Sequence, residues 1–216
     1  FMMQDLINAA DKKMYQDKAR KKIAAIKKLA PESHPANTVI PAISSEMLSE
    51  KIRQIQKSTG NTHSIALIST DVENFHYIND KYGYSLGNEI LNIIYEELAG
   101  APFTILTTRV FSDVFVSIAD TSDLTNEALL SEIKSLDQKI SKRMRNTYHV
   151  NFFRTSSGIY FIPDASTSPE TILSCANVAR RLSKKMLSPC CIYSNEIDRE
   201  EKMHAEILHS FHQALK

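Results

Sequence analysis

Residues 67–91, LISTDVENFHYINDKYGYSLGNEIL, decide the fold. The apolar run that leads into them, HSIALIST, is short, rich in β-branched residues and stops at Asp71-Val72-Glu73-Asn74, which reads as a central strand ending in a polar loop. A helical stretch follows. It is punctuated at Tyr82-Gly83-Tyr84, after which apolar residues recur at helical spacing from about Leu86 to Leu98. Strand, loop and helix in that order open an α/β layer.

Working outward, TTRVFSDVFVSI (residues 107–118) reads as two apolar strands joined at a turn that holds Asp113. Residues 124–146 form a long charged helix, and YHVNFFRTSSGIYFI returns as a strand. Pro169 sits just inside a helix reaching about Leu187, and CCIYS makes a last short strand. On the N-terminal side, residues 1–29 read as a polar helix. Residues 30–43 form a linker in which Pro31, Pro35 and Pro41 remove amide donors, and Ser44 caps a helix through about Lys57. Residues 196–216 form an amphipathic helix with Ile197, Ile207, Leu208, Phe211 and Leu215 as its apolar stripe. The fold class is α/β (α+β): a mixed central sheet of about five strands flanked by helices, with long N- and C-terminal helices and a domain spanning 44–195.

Composition narrows the function. Among 216 residues, 26 basic side chains stand against 25 acidic ones, so the chain has no nucleic-acid footprint. No apolar run approaches the roughly 18–20 residues that cross a bilayer, so no membrane contact is expected from these residues; a membrane segment elsewhere in a longer parent is compatible with this. Cys175, Cys190 and Cys191 show no zinc spacing and read as reduced core thiols, which points to a cytoplasmic setting. Only 5 glycines occur, where average usage gives roughly 15, so glycine-built phosphate loops are scarce. Sliding the N-terminal segment by 166 residues sets Ala10 on Ala176, Asp11 on Asn177 and Lys18 on Lys184. Residues 1–29 are then the last helix of an earlier domain copy, or two Lys-rich amphipathic helices that resemble each other by composition.

The stretch around Asp71 resembles the GGDEF (diguanylate cyclase) family, whose pattern here is close to D-x-D-x-F-K-x-I-N-D-x-x-G-H-x-x-G-D-x-x-L. Asp71, Phe75, Ile78, Asn79, Asp80, Gly83, Gly87 and Leu91 stand in place. The resemblance runs from Ser44 to about Ser194 and implies a palm fold of the nucleotidyl-cyclase type. The tail, with Glu206, Phe211, Ala214 and Leu215, resembles the first helix of an EAL phosphodiesterase domain, and residues 1–29 resemble the last helix of a GGDEF domain. Neighbouring GGDEF and EAL domains in one parent chain are therefore the implied partners, together with GTP and a second copy of the chain.

What the resemblance implies for chemistry is mixed. Family members join two GTP molecules across a dimer, with Mg²⁺ held by two carboxylates. Asp71, the Val72 backbone and Asp113 match the metal positions, and Asn74, Phe75, His76, Asn79, Asn88 and Lys184 match nucleotide positions. The signature Gly-Gly-Asp/Glu-Glu-Phe is here Phe111-Ser112-Asp113-Val114-Phe115. Glycines allow a close backbone approach to nucleotide that Phe111 should obstruct, and Val114 lacks the second carboxylate. Asn88 stands where an Asp would accept two hydrogen bonds from guanine, which forfeits roughly 1–3 kcal/mol of recognition. His76 replaces a Lys, Ser188 an Arg, and Pro102 and Ile105 the Arg and Asp of the product-inhibition motif. The implied function is a regulatory, GTP-sensing or dimerisation module without catalytic residues, the alternative being a weak or altered cyclase.

Plainer readings stand beside these. Asp71, Asn79 and Asp80 can serve as caps, Asp113 as a turn residue, and Lys184 and Lys185 as surface charge. Of the histidines, His34, His63 and His149 form no ligand pair. His204, His209 and His212 share the terminal helix, where they read as a solvated face.

Overall fold

The computed structural model describes residues 40, 42–59, 65–164, 166–199 and 203. The expected helix at 1–29, nearly all of the linker, most of the terminal helix with its EAL-like motif, and five of the seven histidines lie outside the described residues. Five strands form one sheet in the order β2-β3-β1-β4-β5: β1 Ile65–Val72, β2 Thr104–Phe111, β3 Val114–Asp120, β4 Thr155–Phe161 and β5 Cys190–Ile192. Helices α1 Ser45–Thr59, α2 Phe75–Tyr82, α3 Tyr84–Ala99, α4 Asn126–Tyr148 and α5 Pro169–Lys185 flank it. All pairings are antiparallel except β4 with β5, so the sheet is mixed.

Strand β1 is central because every one of its eight residues is buried, and it pairs on both sides, with β3 and with β4. Its side chains alternate between the two faces. Leu67 joins Leu48, Ile52 and Ile55 of α1 and Ile172 and Ala176 of α5, whereas Ala66 and Ile68 join Leu129 and Ile133 of α4. A third apolar cluster, built on Phe75, Ile78, Ile90, Ile94, Phe115, Ile140 and Met144, packs α2, α3 and α4 beneath the loop that follows β1. Helix α5 lies directly on β4: a Cβ built at Gly158 would come within 2.0 Å of the Ala176 carbonyl oxygen and 2.2 Å of the Arg180 amide nitrogen.

The helix starts follow their side-chain caps. Ser44 Oγ accepts the Met47 amide, Thr125 Oγ1 the Ala128 amide and Ser168 Oγ the Thr171 amide, with Pro169 in the first turn as expected. Gly83, at φ 86° and ψ 157°, breaks the helical stretch into α2 and α3, a conformation that excludes residues bearing a Cβ. One boundary departs from the sequence reading. The segment from Tyr148 does not return at once as a strand: α4 runs on through Tyr148, and His149 closes it in the left-handed region at φ 57°. Strand β4 begins only at Thr155. Val150 and Phe153, read as strand residues, plug the apolar cluster under α3 and α4 instead.

Arg109, near the end of β2, holds the segment that precedes α1. Its Nη1 donates to the Ile40 carbonyl (3.1 Å), its own carbonyl accepts the Ile43 amide (3.0 Å), and Ala42 forms a parallel bridge with it. Its Nε donates to the Ser112 carbonyl (2.6 Å), which ties the same residue to the hairpin turn.

Candidate functional site

The alternation along β1 that sends Leu67 toward α5 also sends Ser69 and Asp71 there. On α5, Asn177, Arg180 and Lys184 fall on one helical stripe, three and four residues apart. Ser69 Oγ donates to Asn177 Oδ1 (2.9 Å). Arg180 Nη1 and Lys184 Nζ each lie 3.2 Å from Asp71 Oδ2, so one carboxylate oxygen receives two cations. The Asp71 side chain is 12% exposed and that of Arg180 19%, so the pair is shielded, while Lys184 reaches in from solvent at 49%. Reading Lys184 as surface charge therefore falls short: it is half exposed, and its ammonium is committed to Asp71.

The hairpin brings Asp113 to the same end of the sheet. Asp71 is the direct β-partner of Val114, and β2 and β3 are joined at Ser112-Asp113, with Ser112 at φ 20°. Burial, and next the negative charge of Asp71, push the Asp113 carboxyl above the usual carboxylate range, partly offset by its hydrogen bonds and by Lys184. The negative charge of Asp71 thus reaches Asp113 across the strand ends. Phe111 is 73% exposed, so its ring stands in solvent rather than packed into the turn, and Phe115 is fully buried core.

After Val72, whose side chain is core, the loop turns at Asn74, which adopts a left-handed conformation at φ 56° before α2. Glu73 is buried there: its amide donates to the Arg154 carbonyl, and its Oε1 accepts the Ser156 hydroxyl at 2.5 Å. Phe75 is buried and His76 exposed. Asn79 packs on Gly87 at the α2–α3 junction, where a Cβ at Gly87 would lie 1.9 Å from Asn79 Oδ1; Asn88, the next residue of α3, is half-buried. Asn79 Oδ1 is buried and lacks a hydrogen-bond partner. The backbone carbonyl of Asn79 accepts the Gly83 amide at the end of α2.

Of the sequence-expected residues, Asp71, Val72, Asp113 and Lys184 gather at the strand ends, Asn74, Phe75 and His76 follow on the loop and first turn of α2, Asn79 lies beside Gly87 at the helix junction, and Asn88 is the next residue of α3. Arg180, the Glu73–Ser156 pair and the Ser69–Asn177 link were missed. Arg180 was within reach of pattern reasoning, since Asn177, Arg180 and Lys184 share a stripe and every second β1 residue must face it.

The mixed five-stranded sheet with helices on its faces is a palm-like fold of the nucleotidyl-cyclase type. The GGDEF diguanylate cyclase domain family matches residues 44–186, and the chain belongs to that family. It is similar to the bifunctional diguanylate cyclase/cyclic di-GMP phosphodiesterase MucR of Pseudomonas aeruginosa, with 23% identity over 173 residues, 79% of this chain. The match spans 25% of that relative's length. Among solved structures, the GGDEF domain of PA1120 (YfiN or TpbB) from Pseudomonas aeruginosa superposes with a TM-score of 0.59 at 16% identity, covering 71% of this chain and 97% of that one. The GGDEF domain of DgcB from Caulobacter crescentus, in complex with c-di-GMP, gives 0.55 at 16% identity, covering 74% and 93%. At these identities the likeness establishes the palm fold.

GGDEF domains are generally Mg²⁺-dependent. The residues here do not fit that ion as arranged: Asp71 Oδ2 is already held by Arg180 and Lys184, and Val114 offers no carboxylate. Among the described residues no three His, Cys, Asp or Glu side chains converge as a metal-binding group. Cys190 is buried, its thiol pushed up to about 11 mainly by burial, and Cys175 and Cys191 are half-buried. Among the described residues no helix is long and apolar enough to cross a membrane.

Proposed function

We propose that this GGDEF-family domain has lost cyclase chemistry and serves a cyclic-di-GMP signalling protein as a regulatory module that senses guanine nucleotide. The observation that carries this reading is the hairpin: Val114 is the β-partner of Asp71, and the sequence resemblance sets it where the family's second carboxylate stands. An apolar side chain there cannot stabilise developing charge or take part in holding a cation. Support for retained nucleotide binding comes from Asn79 Oδ1, buried without a hydrogen-bond partner and suited to a donor on a base edge, and from the cations at the end of β1.

The module acts on its neighbours by geometry. A ligand shifts such an arrangement only by as much as its affinities for two states differ, so a weak site gives modest control. The bifunctional relative supports a parent with an EAL phosphodiesterase domain, and homodimerisation and a cytoplasmic location belong to the same reading.

The test is calorimetric titration of the chain with GTP in Mg²⁺ buffer, alongside a variant carrying Phe111→Gly, Ser112→Gly and Val114→Glu. Binding is expected in the wild type and is expected to strengthen in the folded triple variant by roughly tenfold, the range of one added polar interaction. Absence of binding in both proteins would remove nucleotide sensing and leave a structural or dimerisation role. Unchanged affinity in the variant would mean that the turn does not limit the site.

A further inference from the structure

The end of β1 carries its cations built in. Asp71 and Asp113 are the carboxylates here, Arg109 of β2 faces Asp113, and the two cations from α5, Arg180 and Lys184, converge on Asp71 Oδ2 at 3.2 Å. Arg180 is the better placed of the two. Its side chain is 19% exposed against 49% for Lys184, and its Nε is buried without a hydrogen-bond partner, so the guanidinium retains an unused donor inside the site. The backbone that carries it is fixed, because Arg180 N and Cα lie on Gly158 of β4. A divalent cation entering here would meet two fixed positive charges and a carboxylate oxygen already shared between them.

We propose that Arg180 takes the electrostatic place of the divalent cation, so that the site excludes the metal and receives the polyphosphate of a nucleotide on Arg180 and Lys184 directly. A guanidinium can do half of what the ion does. It neutralises Asp71 and offers directional donors to phosphate oxygens, which match its planar fork. It does not lower the pKa of a coordinated hydroxyl, which is how a bound metal generates a nucleophile at neutral pH. A site built this way binds a nucleoside triphosphate without activating it. The ligand half of this inference rests on the nucleotide-sensing reading above; the exclusion of metal does not.

The two halves are tested separately on the 216-residue chain. Free Mn²⁺ is followed by electron paramagnetic resonance as protein is added. The wild type is expected to leave the Mn²⁺ signal unchanged, and Arg180→Gln to deplete it, with circular dichroism showing that the variant is folded. Arg180→Lys, which keeps the charge, should behave as the wild type. GTP and inorganic triphosphate are then titrated in EDTA and in Mg²⁺. Wild-type affinities should agree within about threefold in the two buffers, and Arg180→Gln should lose about tenfold or more in EDTA, on the order of one charge-assisted hydrogen bond. Mn²⁺ uptake by the wild type, or a folded Arg180→Gln that still ignores Mn²⁺, overturns the metal exclusion. GTP binding that needs Mg²⁺ overturns direct phosphate recognition. Failure of GTP to bind in either buffer defeats the nucleotide reading, while the Mn²⁺ titration still decides the role of Arg180.

Discussion

Incubated with GTP and Mg²⁺, the purified chain should accumulate no cyclic di-GMP. Removing a single group that stabilises developing charge commonly costs about 100–1000-fold in rate. On the proposed reading Val114 replaces one such group, and Arg180 and Lys184 hold the Asp71 oxygen that a metal would use, so both losses would fall on one step. The measurement is chromatographic separation of product over hours at high protein concentration. Turnover near 1 per second, within the ordinary enzymatic range, would mean that the hairpin substitutions are tolerated and that the domain is a working cyclase of altered design.

Gly158→Ala should be the most damaging single-methyl addition in the described sheet. Its Cβ would meet the Ala176 carbonyl oxygen at 2.0 Å, the Arg180 amide nitrogen at 2.2 Å and the Arg180 Cα at 2.8 Å, all of them backbone atoms that no rotamer change can move aside. Helix α5 must shift off β4 as a unit, at a cost of about 3 kcal/mol, the upper part of the overpacking range. Thermal unfolding should show it as a fall of roughly 6–12 °C for a domain of this size. The same shift withdraws Arg180 from Asp71, so the variant should also lose nucleotide affinity out of proportion to its stability. A melting temperature within about 2 °C of the wild type would show that the α5–β4 seam has slack the packing does not suggest.

What the sequence disclosed and what it withheld divide along physical lines. The run from Ile65 through Leu98 was readable because the first half of β1, Ile65 to Ile68, is apolar on both faces, and because Gly83 punctuates the helical pattern between Tyr82 and Tyr84. The hairpin was readable from two apolar runs around a polar turn. The start of β4 was not, since Val150 and Phe153 are as apolar as strand residues, and only packing against Ile140 and Met144 shows that they belong to a turn. At the site, Asp71 and Asp113 could be picked out by family spacing, but the charge partner of Asp71 on α5, Arg180, lies far away in sequence. Arg180 looks like any solvated arginine until the parity of β1 is matched to the stripe of α5. Lys184 was recognised as a phosphate position and equally as surface charge, and its commitment to Asp71 emerges only from the distance.

The grip of Arg109 on Ile40, Ala42 and Ile43 concerns more than the hairpin. The sheet has two open margins of unequal length: β5 offers three residues, whereas β2 offers eight. An unpaired margin of that length is a template on which another chain can continue the sheet. Among the described residues, the segment ahead of α1 is what crosses the outer side of β2, and it does so at the end next to the hairpin. A fragment trimmed to begin at Ser44 would keep the domain's core and lose that guard. It should grow by light scattering into concentration-dependent assemblies larger than the dimer where the longer chain does not, so the residues ahead of the domain keep its open margin from recruiting further copies.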